Sequence, residues 1–321
     1  MKKLSVYFSV FALIAQSLNL FSGTASTLQL TKNNILAGIP QSAETTASTF
    51  SFVYSNKGVL TKRTLFVTVP QGFTAATNST TYPVCFAFHG TAKDGTGAAR
   101  KCAQSGVNSG CVMIAPVGGK TTDGMFSWNA NGSTTEDDLA FVRAVWAVIS
   151  TDTRLAKSRV YAYGHSVGGL LVSNVLATKA SFFAGLCAFS SQLMQSTSLT
   201  GVRVPVNMIY FHGLDDTMIP ANGGAASFDT TLLFKSISDS VATWAIHNGY
   251  SGNITVESTD AYTKYSPIEQ VNRASGRYSA TDVQSGVTAA YVFNGVGHNS
   301  VQPVEEHFGV SAAKLMLELF E

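Results

Sequence analysis

Charge is what this sequence lacks most. Only 12% of its 321 residues are Asp, Glu, Lys or Arg, about half the usual share, and 21 basic residues stand scattered against 19 acidic ones. No basic block offers an electrostatic footprint for nucleic acid, so no nucleic-acid partner is expected. Histidine and cysteine are also scarce, at 6 and 4, and none pair at the spacing of a zinc site, so neither a metal nor a cofactor is expected. No repeat and no Pro- or Ser-rich linker divides the body of the chain. Beyond the N-terminus no apolar run is long enough to cross a bilayer.

The first 26 residues, "MKKLSVYFSVFALIAQSLNLFSGTAS", combine Lys2 and Lys3, an apolar run from Val6 to Ala15, and Gly23 and Ala25 at cleavage spacing. Residues 1–25 therefore read as a secretory signal. Gln16, Ser17 and Asn19 interrupt the run well short of the ~20 apolar residues of a spanning helix. A secreted protein, extracellular or periplasmic and free of the membrane after cleavage, is the expectation. Export makes the cysteines candidates for oxidation, and Cys102 and Cys111, flanking "AQSGVNSG", are the expected disulfide. Cys85 and Cys187 lie in apolar strand-like runs and read as small core residues.

A polar segment, residues 26–48, precedes one expected domain over 49–321. "TFSFVYS" and "TKRTLFVTVP", joined by "NKGV", predict a hairpin of edge strands. "VCFAFHG", "CVMIAP", "RVYAYGHS", "AGLCAFSS", "VNMIYFHG" and "AAYVFNG" are short, almost wholly apolar and ended by Gly, Pro or Ser. Such runs are buried on both faces, as in a parallel sheet. In "DDLAFVRAVWAVIS" Leu139, Val142, Val145, Trp146 and Ile149 recur at helical spacing, with Asp137 and Asp138 complementing the dipole at its start. "VGGLLVSNVLATK", "DSVATWAIHNGY" and "EEHFGVSAAKLMLELFE" are the other predicted helices. The fold class is α/β, a mainly parallel central sheet flanked by helices.

Gly164, His165, Ser166, Val167 and Gly168 fit G-x-S-x-G. A chance match in such a chain is expected ~0.2 times, but this one stands between a predicted strand and a predicted helix, the context of a nucleophile elbow. Serine needs a base, and in this arrangement the acid and then the histidine follow it in the chain. His89 and His165 precede or adjoin Ser166, His212 precedes the well-placed acid, and His247 and His307 fall inside predicted helices. That leaves His298, in the glycine-bounded loop "GVGHNSV" after a strand. The acid belongs on the loop after "VNMIYFHG", where Asp216 is the choice and Asp215 the alternative that spacing leaves open. The amides of Val167 and of Thr91, after "FAFHG", are candidate donors to an oxyanion.

These residues carry a likeness. "RVYAYGHSVGG", "FHGLDDTMIP", "FAFHGT", "WAIHNG" and "GVGH" together resemble the α/β-hydrolases that include poly(3-hydroxybutyrate) depolymerases, feruloyl esterases and acetylxylan esterases of the first carbohydrate esterase family, from roughly Thr64 to the C-terminus. The resemblance implies the α/β-hydrolase fold, with Ser166 as nucleophile, Asp216 as acid, His298 as base, and Thr91 and Val167 as oxyanion donors. It also implies that "FSWNANGSTTEDDLAF" walls the pocket, with Trp128 as the substrate-contacting aromatic; Trp244, in a helix, is core. In the depolymerases a linker and a polymer-binding domain are common, whereas this chain is expected to stop one helix after His298. A monomeric serine esterase working through an acyl-enzyme on small-molecule, oligomeric or polymeric esters is the expectation, with soluble esters or oligomers favoured over a crystalline polymer surface. A serine peptidase on the same fold and a binding protein on a hydrolase scaffold are the alternatives.

Overall fold

The structure, a computed structural model, describes residues 35–77, 80–130, 132, 134–202, 204–268 and 286–321. The expected signal and the first part of the polar segment lie outside these residues. The rest of that segment is less polar in its role than in its composition: Ile35, Leu36, Ile39 and Ala43 are buried in the core.

Strands β1 (Ser48–Asn56) and β2 (Val59–Thr68) form the expected hairpin. Lys57 (φ 50°) and Gly58 (φ 89°) make a two-residue turn of the hand that suits twisted strands. Of these two only β1 is an edge strand, because β2 pairs antiparallel with β4 (Val112–Pro116). The sheet continues through β3 (Tyr82–Phe88), β5 (Leu155–His165), β6 (Gly185–Phe189), β7 (Met208–Gly213), β8 (Ile254–Ser258), β9 (Tyr262–Pro267) and β10 (Thr288–Phe293). Its ten strands lie in the order β1-β2-β4-β3-β5-β6-β7-β10-β9-β8. From β4 to β10 in that order the pairings are parallel, and β9 and β8 close the edge antiparallel. The predicted parallel strands all appear, and every residue of β4, β6 and β7 is buried.

Helices cover both faces. On one side α2 (Asp138–Ile149), α3 (residues 167–179) and α4 (Ile237–His247) enclose a core with Phe86, Phe141, Leu170, Val241 and Trp244. Helix α3 runs Val167–Leu170, then through a π-helical stretch, Leu171–Leu176, to Ala177–Lys179. On the other side α1 (Gly95–Gln104), α5 (Val301–Phe308) and α6 (Ala312–Phe320) enclose a core with Phe66, Ala103, Tyr163, Phe211 and Met316. Asp137 caps α2 by accepting the amide of Ala140 at 2.9 Å. The last predicted helix is two: Gly309 (φ 71°) ends α5 in a left-handed turn and Ser311 caps α6. Two helices, not one, therefore follow His298. A largely parallel sheet with helices on both faces and an antiparallel hairpin leading in is the α/β-hydrolase architecture.

The expected Cys102–Cys111 disulfide is not formed; all four cysteines are free thiols. The segment holding Cys102 is helical, with Asp94 capping α1 through the Gly97 amide. That helix carries Cys102 toward Phe88, Tyr163 and Val301, while Cys111, buried just before β4, meets the Ser109 hydroxyl at 3.2 Å and faces Cys85.

The turn from β5 into α3 fixes the functional edge. Ser166 adopts φ 55° and ψ −123°, a region that costs a non-glycine residue ~1–3 kcal/mol. A Cβ on Gly164 would lie 2.2 Å from the Gly168 oxygen, and one on Gly168 2.3 Å from the Phe88 oxygen. Both contacts are with backbone, which cannot swing aside. Gly168→Ala should therefore destabilise the protein by ~3 kcal/mol or more, whereas Gly38→Ala, where nothing lies within 4 Å, should stay within ~1 kcal/mol of the parent. Urea unfolding of the two variants compares them directly, and equal midpoints would contradict the packing described.

Candidate active site

Three loops meet at the carboxyl edge of the parallel strands. The β5–α3 turn presents Ser166, anchored by its amide to the Phe189 oxygen at 2.9 Å. The loop after β7 presents Asp216 and the loop after β10 presents His298. His298 Nε2 lies 2.9 Å from Ser166 Oγ, and its Nδ1 lies 2.8 Å from Asp216 Oδ2. A carboxylate only accepts, so Nδ1 carries hydrogen and Nε2 is left to accept the serine proton. Of the two candidate acids Asp216 stands in this chain; Asp215 is exposed.

Spacing could not choose between the two aspartates, but turn chemistry does. Asp216 Oδ1 accepts the amides of Met218 at 2.8 Å and Ile219 at 2.9 Å, closing an Asx-type turn that aims Oδ2 at the imidazole. Burial raises the pKa of this carboxyl, but hydrogen bonds from His212, His298 and the Ile219 amide outweigh it and hold the group below its ordinary value. The His298 loop is fixed from behind by His165, whose Nε2 donates to the His298 carbonyl at 2.9 Å. Ser300 ties it to the sheet through the Phe211 oxygen at 3.1 Å.

The loop after β3 approaches the serine closely. A Cβ on Gly90 would lie 3.2 Å from that of Ser166, so the Gly90–Thr91 peptide borders the nucleophile position. The Thr91 hydroxyl meets that of Ser127 at 3.0 Å, and the Val167 amide opens α3. His89 braces the loop: its Nε2 accepts the Gly118 amide at 2.9 Å and its Nδ1 donates to the Gly90 oxygen at 2.6 Å.

Trp128, expected in the pocket wall, has no exposed surface. Its indole N–H donates to the His89 oxygen at 2.7 Å, so it supports the Thr91 loop from the core and does not face a substrate. Beneath it lies Arg63, 5.0 Å from the Trp128 ring and 4.2 Å from that of Phe141. Arg63 donates to the Val117 oxygen and pairs with buried Asp138, whose other oxygen accepts the Asn129 amide at 2.6 Å. Burial raises the pKa of Asp138 and Arg63 only partly offsets that. This network was not found from sequence, where Asp138 registered only as a helix-start acid.

A cleft of about 560 Å³ runs beside α3, lined by Asn129, Leu171, Asn174, Met194 and Thr197. A smaller apolar cavity of about 210 Å³ lies between α1 and α5, behind Gly90 and His165. Among the described residues no group of three His, Cys, Asp or Glu side chains is placed to hold a metal ion, and no helix is long and apolar enough to cross a membrane.

No family model matches the chain. It is 26% identical over 113 residues to "Probable feruloyl esterase C" of Aspergillus clavatus, 35% of this chain and 38% of that one. With the protein of the same name from Aspergillus niger it shares 25% identity over 122 residues, 38% of this chain and 41% of that one. The chain thus matches about two fifths of the length of these curated relatives. Among solved structures, acetyl xylan esterase from Aspergillus awamori aligns with TM-score 0.45 and 17% identity, over 77% of this chain and 94% of that one. S-formylglutathione hydrolase from Agrobacterium tumefaciens aligns with TM-score 0.48 and 14% identity, over 85% and 96%.

Burial drives two histidines of the site down to about 4: His89, against a backbone hydrogen bond that favours the charged form, and His165 likewise. In the unfolded chain both titrate near ~6.5, so between pH ~6.5 and ~4 the unfolded state binds more protons and stability falls as pH falls, by on the order of 3 kcal/mol for each group. The urea midpoint should drop between pH 7 and 4, and His89→Gln should remove roughly half of that slope. A midpoint independent of pH over this range would contradict the assignment.

Proposed function

We propose that this chain is a serine-dependent carboxylic-ester hydrolase that works through an acyl-enzyme. The observation that carries the reading is the unbroken hydrogen-bond chain Ser166–His298–Asp216, standing on a strained turn that lifts the serine clear of the sheet. In the reaction, Ser166 Oγ attacks the ester carbonyl while His298 Nε2 takes its proton. Asp216 holds the neutral imidazole in the productive tautomer and stabilises the imidazolium that forms. The amides of Val167 and Thr91 donate to the tetrahedral oxyanion, and the imidazolium returns its proton to the departing alkoxide. Water, activated by the same imidazole, then attacks the acyl-serine and releases the acid.

The name of the partial relatives favours a feruloyl ester, and the resemblance of the motifs adds acetyl esters and hydroxybutyrate oligomers. Leu214 and Met218, 47% and 39% exposed on the loop that carries Asp216, present apolar surface beside the site, which suits an apolar acyl or alcohol group. Export rests on Lys2, Lys3 and the apolar run that follows them.

The purified chain should hydrolyse one or more of short p-nitrophenyl esters, methyl ferulate, acetylated xylan fragments and hydroxybutyrate oligomers. Ser166→Ala should lose ~10⁴-fold or more in kcat, and Asp216→Asn, which leaves the shape but offers the wrong tautomer, ~10³–10⁴-fold. Ester turnover that survives in Ser166→Ala, or turnover of peptide amides in preference to esters, would overturn the proposal.

A further inference from the structure

His212 precedes Asp216 in the chain and is therefore excluded from the triad by order. It lies on β7, opposite Val292 of β10, with no exposed surface. Its Nε2 is 2.8 Å from the Ile219 oxygen and 3.3 Å from Asp216 Oδ2. A carbonyl only accepts, so Nε2 carries the hydrogen, donates it to the Ile219 oxygen and turns the positive edge of the ring toward Asp216 Oδ2. The other ring nitrogen, Nδ1, is buried with no hydrogen-bond partner. An apolar ring of similar size would leave no unpaired Nδ1, but it would strand the Ile219 carbonyl and take the N–H away from Asp216. The imidazole is thus poorly explained by packing alone.

Its contacts form a clamp on the acid loop. Ile219 gives its amide to Asp216 Oδ1 and its carbonyl to His212, so His212 holds both the carboxylate and the far end of the turn that carries it. Asp216 accepts two amides on Oδ1 and the His298 Nδ1–H on Oδ2, and His212 Nε2 stands 3.3 Å from that same Oδ2. A carboxylate so surrounded by N–H groups neither rotates nor takes up a proton readily. The ionisable groups facing it are His212 from β7, His298 from the loop after β10 and, farther off, His165 from the elbow.

We propose that His212 is a positioning residue for the triad acid: its Nε2–H fixes Asp216 Oδ2 in line with His298 and keeps that oxygen an acceptor. The inference rests on the esterase reading for its kinetic consequence and on the fold alone for its geometry. His212 touches no reacting atom. Its effect passes through Asp216, so it belongs to kcat and not to substrate binding.

The test compares His212→Phe, which fills the space without a donor, with His212→Gln, whose side-chain amide restores one. On a short p-nitrophenyl ester His212→Phe should lose about 10- to 100-fold in kcat, the effect of removing one N–H held against a charged group, with KM within about twofold. The acid limb of kcat/KM, which reports the essential base, should move to higher pH, because Asp216 without the facing N–H attracts the imidazolium more strongly. His212→Gln should recover kcat to within about fivefold of the parent and return the acid limb. A substrate-free readout stands beside these: the downfield proton resonance of the His298 Nδ1–H···Asp216 bond should shift in the Phe variant and return in the Gln variant. Wild-type kcat in His212→Phe, or an unmoved resonance, would overturn the proposal. So would equal losses in both variants with an unmoved acid limb. Should His212→Phe fail to fold, the Gln variant against His212→Ala decides on the same resonance. Should the parent show no Ser166-dependent turnover, the esterase reading falls while the resonance still judges the clamp.

Discussion

The close crossing of β5 and α3 at Ser166 is the constraint on which the rest depends. The serine is held at φ 55° because Gly164 and Gly168 let strand and helix touch backbone to backbone, and because the Ser166 amide is tied to the neighbouring strand at Phe189. Strain of this kind persists only where its surroundings over-determine it. Here the surroundings include the Phe88–Gly90 backbone, packed so tightly on Gly168 that the loop bearing Thr91 cannot move independently of the elbow. One steric solution therefore sets both the candidate nucleophile and the loop beside it.

Around that point the protein spends its few charges on holding loops still. Arg63 and Asp138 are both buried and support Trp128 and Asn129, and Trp128 in turn holds His89. Arg154 pairs with Asp152 and reaches the Leu36 oxygen at 2.9 Å, stitching the N-terminal part of the described chain to β5. Buried pairs of this sort add little net stability against an apolar alternative. Their worth lies in geometry: donors and acceptors already in place need no reorganisation when charge develops. The histidines follow the same logic, since His89 and His165 serve as fixed hydrogen-bonding brackets in a neutral state that burial enforces.

Much of this was legible in the sequence, and the gaps have physical causes. The parallel strands announced themselves because burial on both faces demands unbroken apolar runs. Strands β8 and β9 did not, since they are half-buried or exposed and carry Thr, Glu, Lys and Ser as readily as Val or Tyr. Helix α1 was hidden by Gly95, Gly97 and a mean polarity that leaves only Ala99 and Ala103 to mark its inner face, and missing it made a cysteine bridge look natural. Chain order separated Ser166, His298 and the aspartate pair from the other candidates. It was silent on His212, because order speaks only to the members of a triad and not to what lies behind them. Trp128 misled for a related reason: a pattern places an aromatic near the site, but only packing shows whether the ring faces the cleft or the core.

In the proposed reading Ser166 is made nucleophilic by His298 at this turn. Reaction of the native protein with diethyl p-nitrophenyl phosphate, followed by intact mass and peptide mapping, tests it most directly. One diethylphosphoryl group per chain is expected, carried by Ser166 and lost when His298 is replaced by Ala. A label on another residue, or an undiminished label on Ser166 without the imidazole, would contradict it.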